Sequence, residues 1–205
     1  MLENLVLLTG TVAHVSIKPK STWVQGSFKL DCGDFQTWIE IKGLNPADRA
    51  IQMLEGLKDQ QIILRGRFTS YVMKANPPEY PNETKRYQIS VSKGAIDLVD
   101  GEVGVNYCMF SGVVHEARET GAGVLFAEVG ITYHNPSNDT YGTYITRIQC
   151  PTGTVLEPKE KIVVIGTIAE GDAKGMLVHA SQILKTQKPP VPSSVAADVS
   201  SSQET

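Results

Sequence analysis

The sequence predicts an all-β chain made of two five-stranded barrels in tandem, on three observations. Apolar and polar residues alternate with period two in short runs rich in β-branched and aromatic types, the pattern of half-buried strands. The order of elements starts twice: residues 107–115 (YCMFSGVVH) echo residues 5–14, with Gly112 where Gly10 stands. Residues 162–169 likewise echo 62–69, with Gly166 for Gly66. Only one segment of the chain has convincing helical periodicity.

The first unit is read over residues 1–100. Residues 5–17 (LVLLTGTVAHVSI) form a strand whose Gly10 marks a coil of the sheet, and Pro19 ends it. Residues 21–26 read as a loop. Residues 27–32 form the second strand, with Phe28, Leu30 and Cys32 inward and Lys29 and Asp31 outward; Gly33-Asp34 is a turn. Residues 35–42 form the third. Phe35, Thr37, Ile39 and Ile41 share the core parity, and Gln36, Trp38, Glu40 and Lys42 the outer one. A helix follows: Asn45 is its N-cap, Pro46 its first residue, Asp48 lies in its first turn, and Ala50, Met53, Leu54 and Leu57 make one apolar stripe ending near residues 56–58. Residues 61–73 return to strand, with Ile62, Leu64 and Phe68 inward and Arg65, Arg67, Thr69 and Tyr71 outward. Three prolines within residues 74–85 predict a projecting loop, residues 86–92 close the unit, and residues 95–99 end it. Five strands with a helix between the third and fourth match the Greek-key barrel called the OB-fold.

The second unit spans residues 101–187, with strands at 107–115, 124–133, 141–150, 162–169 and 176–184. Residues 151–161 have only the length of a loop and hold two prolines, so the helix is missing. Residues 188–205 (KPPVPSSVAADVSSSQET) bury too little apolar surface to order themselves and are expected to be a disordered tail.

Composition narrows the function classes. The chain of 205 residues is 41% hydrophobic and 20% charged, ordinary for a soluble globular protein. No apolar run approaches the ~20 residues that span a bilayer. The first residues lack a basic start and a small-residue cleavage site, so a cytoplasmic location is expected, the host cytoplasm or nucleoid if a phage or plasmid encodes the chain. Cys32, Cys108 and Cys150 are isolated and read as small core residues. Net charge is −3, but residues 1–99 carry 12 basic against 10 acidic side chains, while residues 100–187 carry 6 against 10. No phosphate-cradling glycine loop, HExxH helix, nucleophile elbow or carboxylate pair is present, so no enzyme, cofactor or catalytic residue is expected. His14 and His115, near matching ends of the two first strands, lack metal-ligand spacing, and no metal site is expected.

The outer parity of the first unit gathers rings and cations: Trp38 and Lys42 on strand three, Arg65, Arg67 and Tyr71 on strand four, and Arg86 on strand five. Trp23, Lys18 and Lys20 come from the first loop, and Lys74, Tyr80 and Lys85 from the long one. Such interleaving suits a single-stranded nucleic acid, whose bases stack on aromatics for ~1–3 kcal/mol each while its phosphates take cations. Neither contact reads sequence, and an RNA strand would use the same groups. Two other readings stay open: outward cations deter strand-edge pairing, and Trp38 and Tyr71 would also suit a protein contact. The second unit offers Phe126, beside Glu128, and Tyr144, near Arg147; its acidity favours pairing of barrels or a protein partner over DNA.

The runs LVLLTGTVAHV, FQTWIEIKG, QQIILRGRFTSY and RYQISV, with a short helix after the second, resemble the bacterial and phage single-stranded DNA-binding protein (SSB) family over residues 4–99. The resemblance implies an OB-fold, a base-stacking role for Trp38, and a stacking aromatic at the end of strand four, at Tyr71 or Met73. It implies binding of single-stranded DNA in replication, recombination or repair, and a homodimer that brings four barrels together. Two features depart from the family pattern: a second, acidic barrel, which only some members carry, and a tail ending Ser-Gln-Glu-Thr without the acidic run and terminal phenylalanine that recruit protein partners. They point to a phage, plasmid or diverged member whose tail or second barrel serves another partner. The rival reading is a structural or adaptor module, such as a phage particle component, that binds protein through the same barrels.

Overall fold

A computed structural model describes residues 4–19, 24–42, 50–73, 84–101, 103–135, 140–170 and 176–186. The first set of elements is β1 (Leu5–Pro19), β2 (Val24–Asp31), β3 (Gln36–Lys42), α1 (Ala50–Gly56), β4 (Gln61–Met73) and β5 (Thr84–Leu98). β1 pairs β2, β2 pairs β3, β3 runs parallel to β5, β5 pairs β4, and β4 returns to β1. The second set is β6 (Asn106–Glu119), β7 (Leu125–Asn135), β8 (Thr140–Gln149), β9 (Lys161–Ala169) and β10 (Leu177–Lys185). It closes in the same order, again with one parallel contact, between β8 and β10. Both circuits are the Greek-key closure of an OB barrel, and closure gives every strand two partners within its circuit.

The alternation read from the sequence is the burial pattern over most of both barrels; Thr69, read as outward, is buried. Val6, Leu8, Val12, Phe28, Leu30, Ile39, Ile62, Leu64, Phe68 and Ile89 fill the first barrel, and Cys108, Phe110, Val129, Ile148, Ile162, Val164 and Val178 the second. Leu54 and Leu57 bring α1 onto the first core. Met53, expected on the same stripe, is 42% exposed, because a helix of seven residues has room for one narrow contact line only.

The two barrels share a seam. Residues 6–8 of β1 pair with β4 along one edge and with β6 along the other, and Leu5 extends the pairing with β6. Val6 faces its own counterpart, Cys108, and each of the two has a glycine across its outer flank, Gly66 and Gly166. A local two-fold axis therefore runs through the Val6–Cys108 pair. Phe68 and Phe110 meet edge-to-face beneath the seam at 5.4 Å, joining the cores.

The repeat holds in its irregular details. Asn4 donates from Nδ2 to the Phe68 carbonyl (2.9 Å) and accepts from the Phe68 N–H (3.0 Å). Asn106 makes the same pair of bonds with Ile168, at 2.7 and 2.8 Å. An asparagine amide carries both a donor and an acceptor, so it extends the β-ladder by one pair as a peptide would. Asp59 and Lys159 both turn the chain at positive φ (63° and 75°) and donate their N–H groups to Val12 and Val114.

Several sequence expectations need correction. β2 starts at Val24, because Val24 to Gly26 pair with the end of β1, where a loop was expected. Lys85 belongs to β5, opposite Val72, and not to the projecting loop. β5 continues through residues 95–98, taking up its change of register between Leu64 and Gly66. Tyr144 has core parity and packs against the second core. His14 and His115 are not equivalent: β1 bulges between Val12 and His14, β6 bulges between Val114 and Glu116, and the counterpart of His14 is Glu116. Asn45, Pro46, Asp48 and the tail lie outside the described residues.

Candidate nucleic-acid interface

The β-bulge at Ala13 builds the candidate site. Strict alternation from Val6, Leu8 and Val12 would turn His14 into the core. The extra residue flips the parity, so His14 faces outward and Val15 and Ile17 pack on the core instead. His14 then lies opposite Lys29 of β2, and Lys29 opposite Trp38 of β3, in one row across three strands. Trp38 is 44% exposed. The His14 and Trp38 rings meet at 5.8 Å and 84°, an edge-to-face contact that fixes the tilt of the indole.

The neighbouring rows complete the face. Ser16, Ser27, Glu40, Ser90 and Arg67 form the next row, running through β1, β2, β3, β5 and β4. Arg67 is thus two strands from the β3 edge of the face, about 10 Å at the usual strand spacing. On the other side lies the row Thr11, Asp31, Gln36. Asp31 accepts from the Gly33 N–H (3.0 Å) and from Gln36 Nε2 (2.9 Å), and these bonds, the Gly33 one first, hold its carboxyl below the usual range. Among the described residues neither Lys29 nor Arg67 makes an ion pair. A ring, a cation beside it and a second cation one row away can take a stacked base and its flanking phosphates. Behind the face, the buried Thr37 hydroxyl donates to the Met176 sulfur at 3.4 Å, so the second barrel braces the strand that carries Trp38.

The sequence-predicted residues divide into four groups. Trp38 and Arg67 lie on this face, and Lys18, exposed at the end of β1, lies two residues beyond Ser16 on the same side. Arg65 does not join them. It lies in the row Arg65, Leu7, Tyr107 on the outer surface that crosses the seam. Lys42 ends β3 opposite Ser92, while Tyr71 and Arg86 face each other on β4 and β5, and Lys85 follows opposite Val72; for these four the backbone alone is described. Trp23, Lys20, Lys74 and Tyr80 lie outside the described residues. Lys29 and His14 were missed. The parity of Lys29 was legible, but its two ring neighbours were not, and His14 depends on a bulge that no residue type announces. Among the described residues no group of three or more His, Cys, Asp or Glu side chains could hold a metal ion. No helix among them is long and apolar enough to cross a membrane.

No sequence family and no curated protein sequence matches the chain. Solved structures do. The wild-type single-stranded DNA binding protein from Thermus aquaticus aligns with a TM-score of 0.67 at 18% identity, over 92% of this chain and 95% of that one. A deletion mutant of the Thermus protein aligns at 0.69 and 17% identity, over 93% and 98%. The fold is that of the Thermus single-stranded DNA-binding protein. Because the alignment runs nearly end to end in both chains, the Thermus likeness includes the tandem arrangement and not one barrel alone.

Proposed function

We propose that this chain binds single-stranded DNA with little sequence preference and serves replication, recombination or repair without catalysing a reaction. One observation carries the reading: a half-exposed tryptophan in register with a lysine and a histidine on the β2–β3 face, the face OB barrels use for oligonucleotides. The solved structures of like fold are single-stranded DNA binding proteins by name, which supports it. Trp38 stacks a base. Lys29, Arg67 and Lys18 take phosphates, Lys42, Tyr71, Lys85 and Arg86 continue the path along β3, β4 and β5, and Trp23, Lys20, Lys74 and Tyr80 take further bases and phosphates. In this reading residues 1–100 supply the strand-binding barrel, residues 101–187 the barrel that pairs chains or contacts protein, and residues 188–205 a tail for a further partner. The half-buried outward residues Leu5, Leu7, Tyr107, Met109 and Ile165 offer an apolar surface across the seam for a homodimer of four barrels in the cytoplasm.

The test is titration of tryptophan emission with oligo(dT) at low and moderate salt, with Trp23→Phe assigning the signal to Trp38. Quenching that weakens with salt is expected. Unchanged emission together with no complex by gel retardation would refute the proposal and leave the protein-adaptor reading. Competition with an RNA oligomer of equal length separates DNA from RNA preference.

A further inference from the structure

The second barrel reproduces the strand-binding row position by position, and its residues differ in kind. By register, Glu116, Glu128 and Arg147 occupy the places of His14, Lys29 and Trp38. In the next row Arg118, Phe126, Gln149, His179 and Thr167 replace Ser16, Ser27, Glu40, Ser90 and Arg67. The equivalence is anchored by features the two barrels share: the bulge before each row, the asparagine clamps and the positive-φ turns. The second face is therefore not blank. It holds the Phe126 ring and two arginines, the types that bind a strand, but each of these is already engaged within the face. The Arg147 guanidinium lies over the Phe126 ring, 4.9 Å from its centroid, where a base would stack. Arg118 is ion-paired to Glu116, and Glu128 stands directly opposite Arg147 in register. The first row has no carboxylate, and among the described residues no cation lies over its ring.

We infer that the second barrel carries a latent strand-binding site at Phe126, held shut from within by Arg147, Glu128 and the Arg118–Glu116 pair, so that each chain engages single-stranded DNA through one barrel. This rests on the reading above that Trp38 marks a strand-binding face. Both rows are built on one backbone, and opening the second requires only removal of the carboxylates that face its arginines. A phosphate can then take their place, and a base can displace the guanidinium from the Phe126 ring.

The experiment counts oligonucleotides per chain by native mass spectrometry, using a labelled dT oligomer of about eight nucleotides, within the span of one barrel. Wild type should bind one per chain, and Phe126→Ala should leave that binding unchanged. Glu116→Gln with Glu128→Gln should bind two, and adding Phe126→Ala to this pair should return the count to one. Two oligomers on wild type, or a wild-type affinity weakened tenfold by Phe126→Ala, would overturn the inference while sparing the proposed function. So would a count of one for the double glutamine variant with its thermal unfolding unchanged. No binding by wild type at any salt would overturn the proposed function itself and the inference with it.

Discussion

Lys29→Ala and Trp38→Ala should both weaken DNA binding, and they should fail in different ways. The row places a ring and a cation side by side, so the two contributions are separable by salt. Trp38 carries no charge; losing its stack with one base costs about 1–3 kcal/mol, or roughly 5- to 150-fold in affinity. That factor should hold at every salt concentration, since stacking releases no counterions. Lys29 supplies a charge and no ring, and neutralising one phosphate of a single strand contributes about 0.7 to the slope of log affinity against log salt. The defect of Lys29→Ala should therefore shrink about fivefold for each tenfold rise in salt. Fluorescence anisotropy with a labelled dT oligomer, at four salt concentrations, reads both slopes. Trp38→Phe keeps a ring and should recover part of the affinity, and neither of these outward-facing substitutions should move the melting temperature by more than a degree or two, about 0.5 kcal/mol. Equal slopes for Lys29→Ala and wild type would refute the placement of a phosphate at Lys29. A slope change in Trp38→Ala as large as that of Lys29→Ala would refute the division of roles.

Three further outcomes follow from the repeat and the core. Asn106→Ala leaves the Ile168 N–H and C=O without the bonds at 2.8 and 2.7 Å, a loss of about 1–3 kcal/mol or roughly 3–10 °C in Tm, and Asn4→Ala should cost a similar amount by releasing Phe68; calorimetry showing no shift for both would refute the clamp. Gly166→Ala should destabilise more than Gly66→Ala. A methyl at Gly166 meets the His179 carbonyl, which is fixed backbone, whereas at Gly66 the nearest atoms are the Ile89 and Val91 methyl groups at 2.7 and 2.9 Å; equal urea midpoints would contradict this. Burial pushes the thiols of Cys108 and Cys150 up to about 12 and about 11, and burial followed by the Asp31 charge pushes Cys32 to about 12. Because these values exceed the unfolded one near ~8.5, the stability they carry is present below that pH and is lost as pH rises toward the folded values. The urea midpoint should fall between pH 8 and pH 10, and thiol reagents should label the native chain far more slowly than the unfolded one; rapid native labelling of Cys108 would refute its burial.

Much of this molecule is legible in its residues. Alternation in FQTWIEIK assigns Ile39 and Ile41 to the core and Trp38 to the outside, because the side-chain period of a strand is fixed by its backbone. The recurrence of Gly10 and Gly66 as Gly112 and Gly166 announces two copies of one barrel, since those positions admit no Cβ where strands cross closely. What parity cannot supply is the partner of each strand. Arg65 and Arg67 look alike in the sequence, yet one lies on the outer surface that crosses the seam and the other on the row that leads to Trp38. Trp38 itself was legible as an exposed ring. Its neighbours Lys29 and His14 became visible only when β1, β2 and β3 were laid in register, because one inserted residue at Ala13 turns His14 from core to surface. The same bulge at His115 brings Glu116 and not a histidine into the second row. The sequence alone thus assigns the two faces of an unbroken strand, through local backbone geometry, and loses the assignment at a bulge. Which of them stand together, and that the second barrel answers Trp38 with Arg147, is decided by pairing between distant strands, where a shift of one residue changes every neighbour.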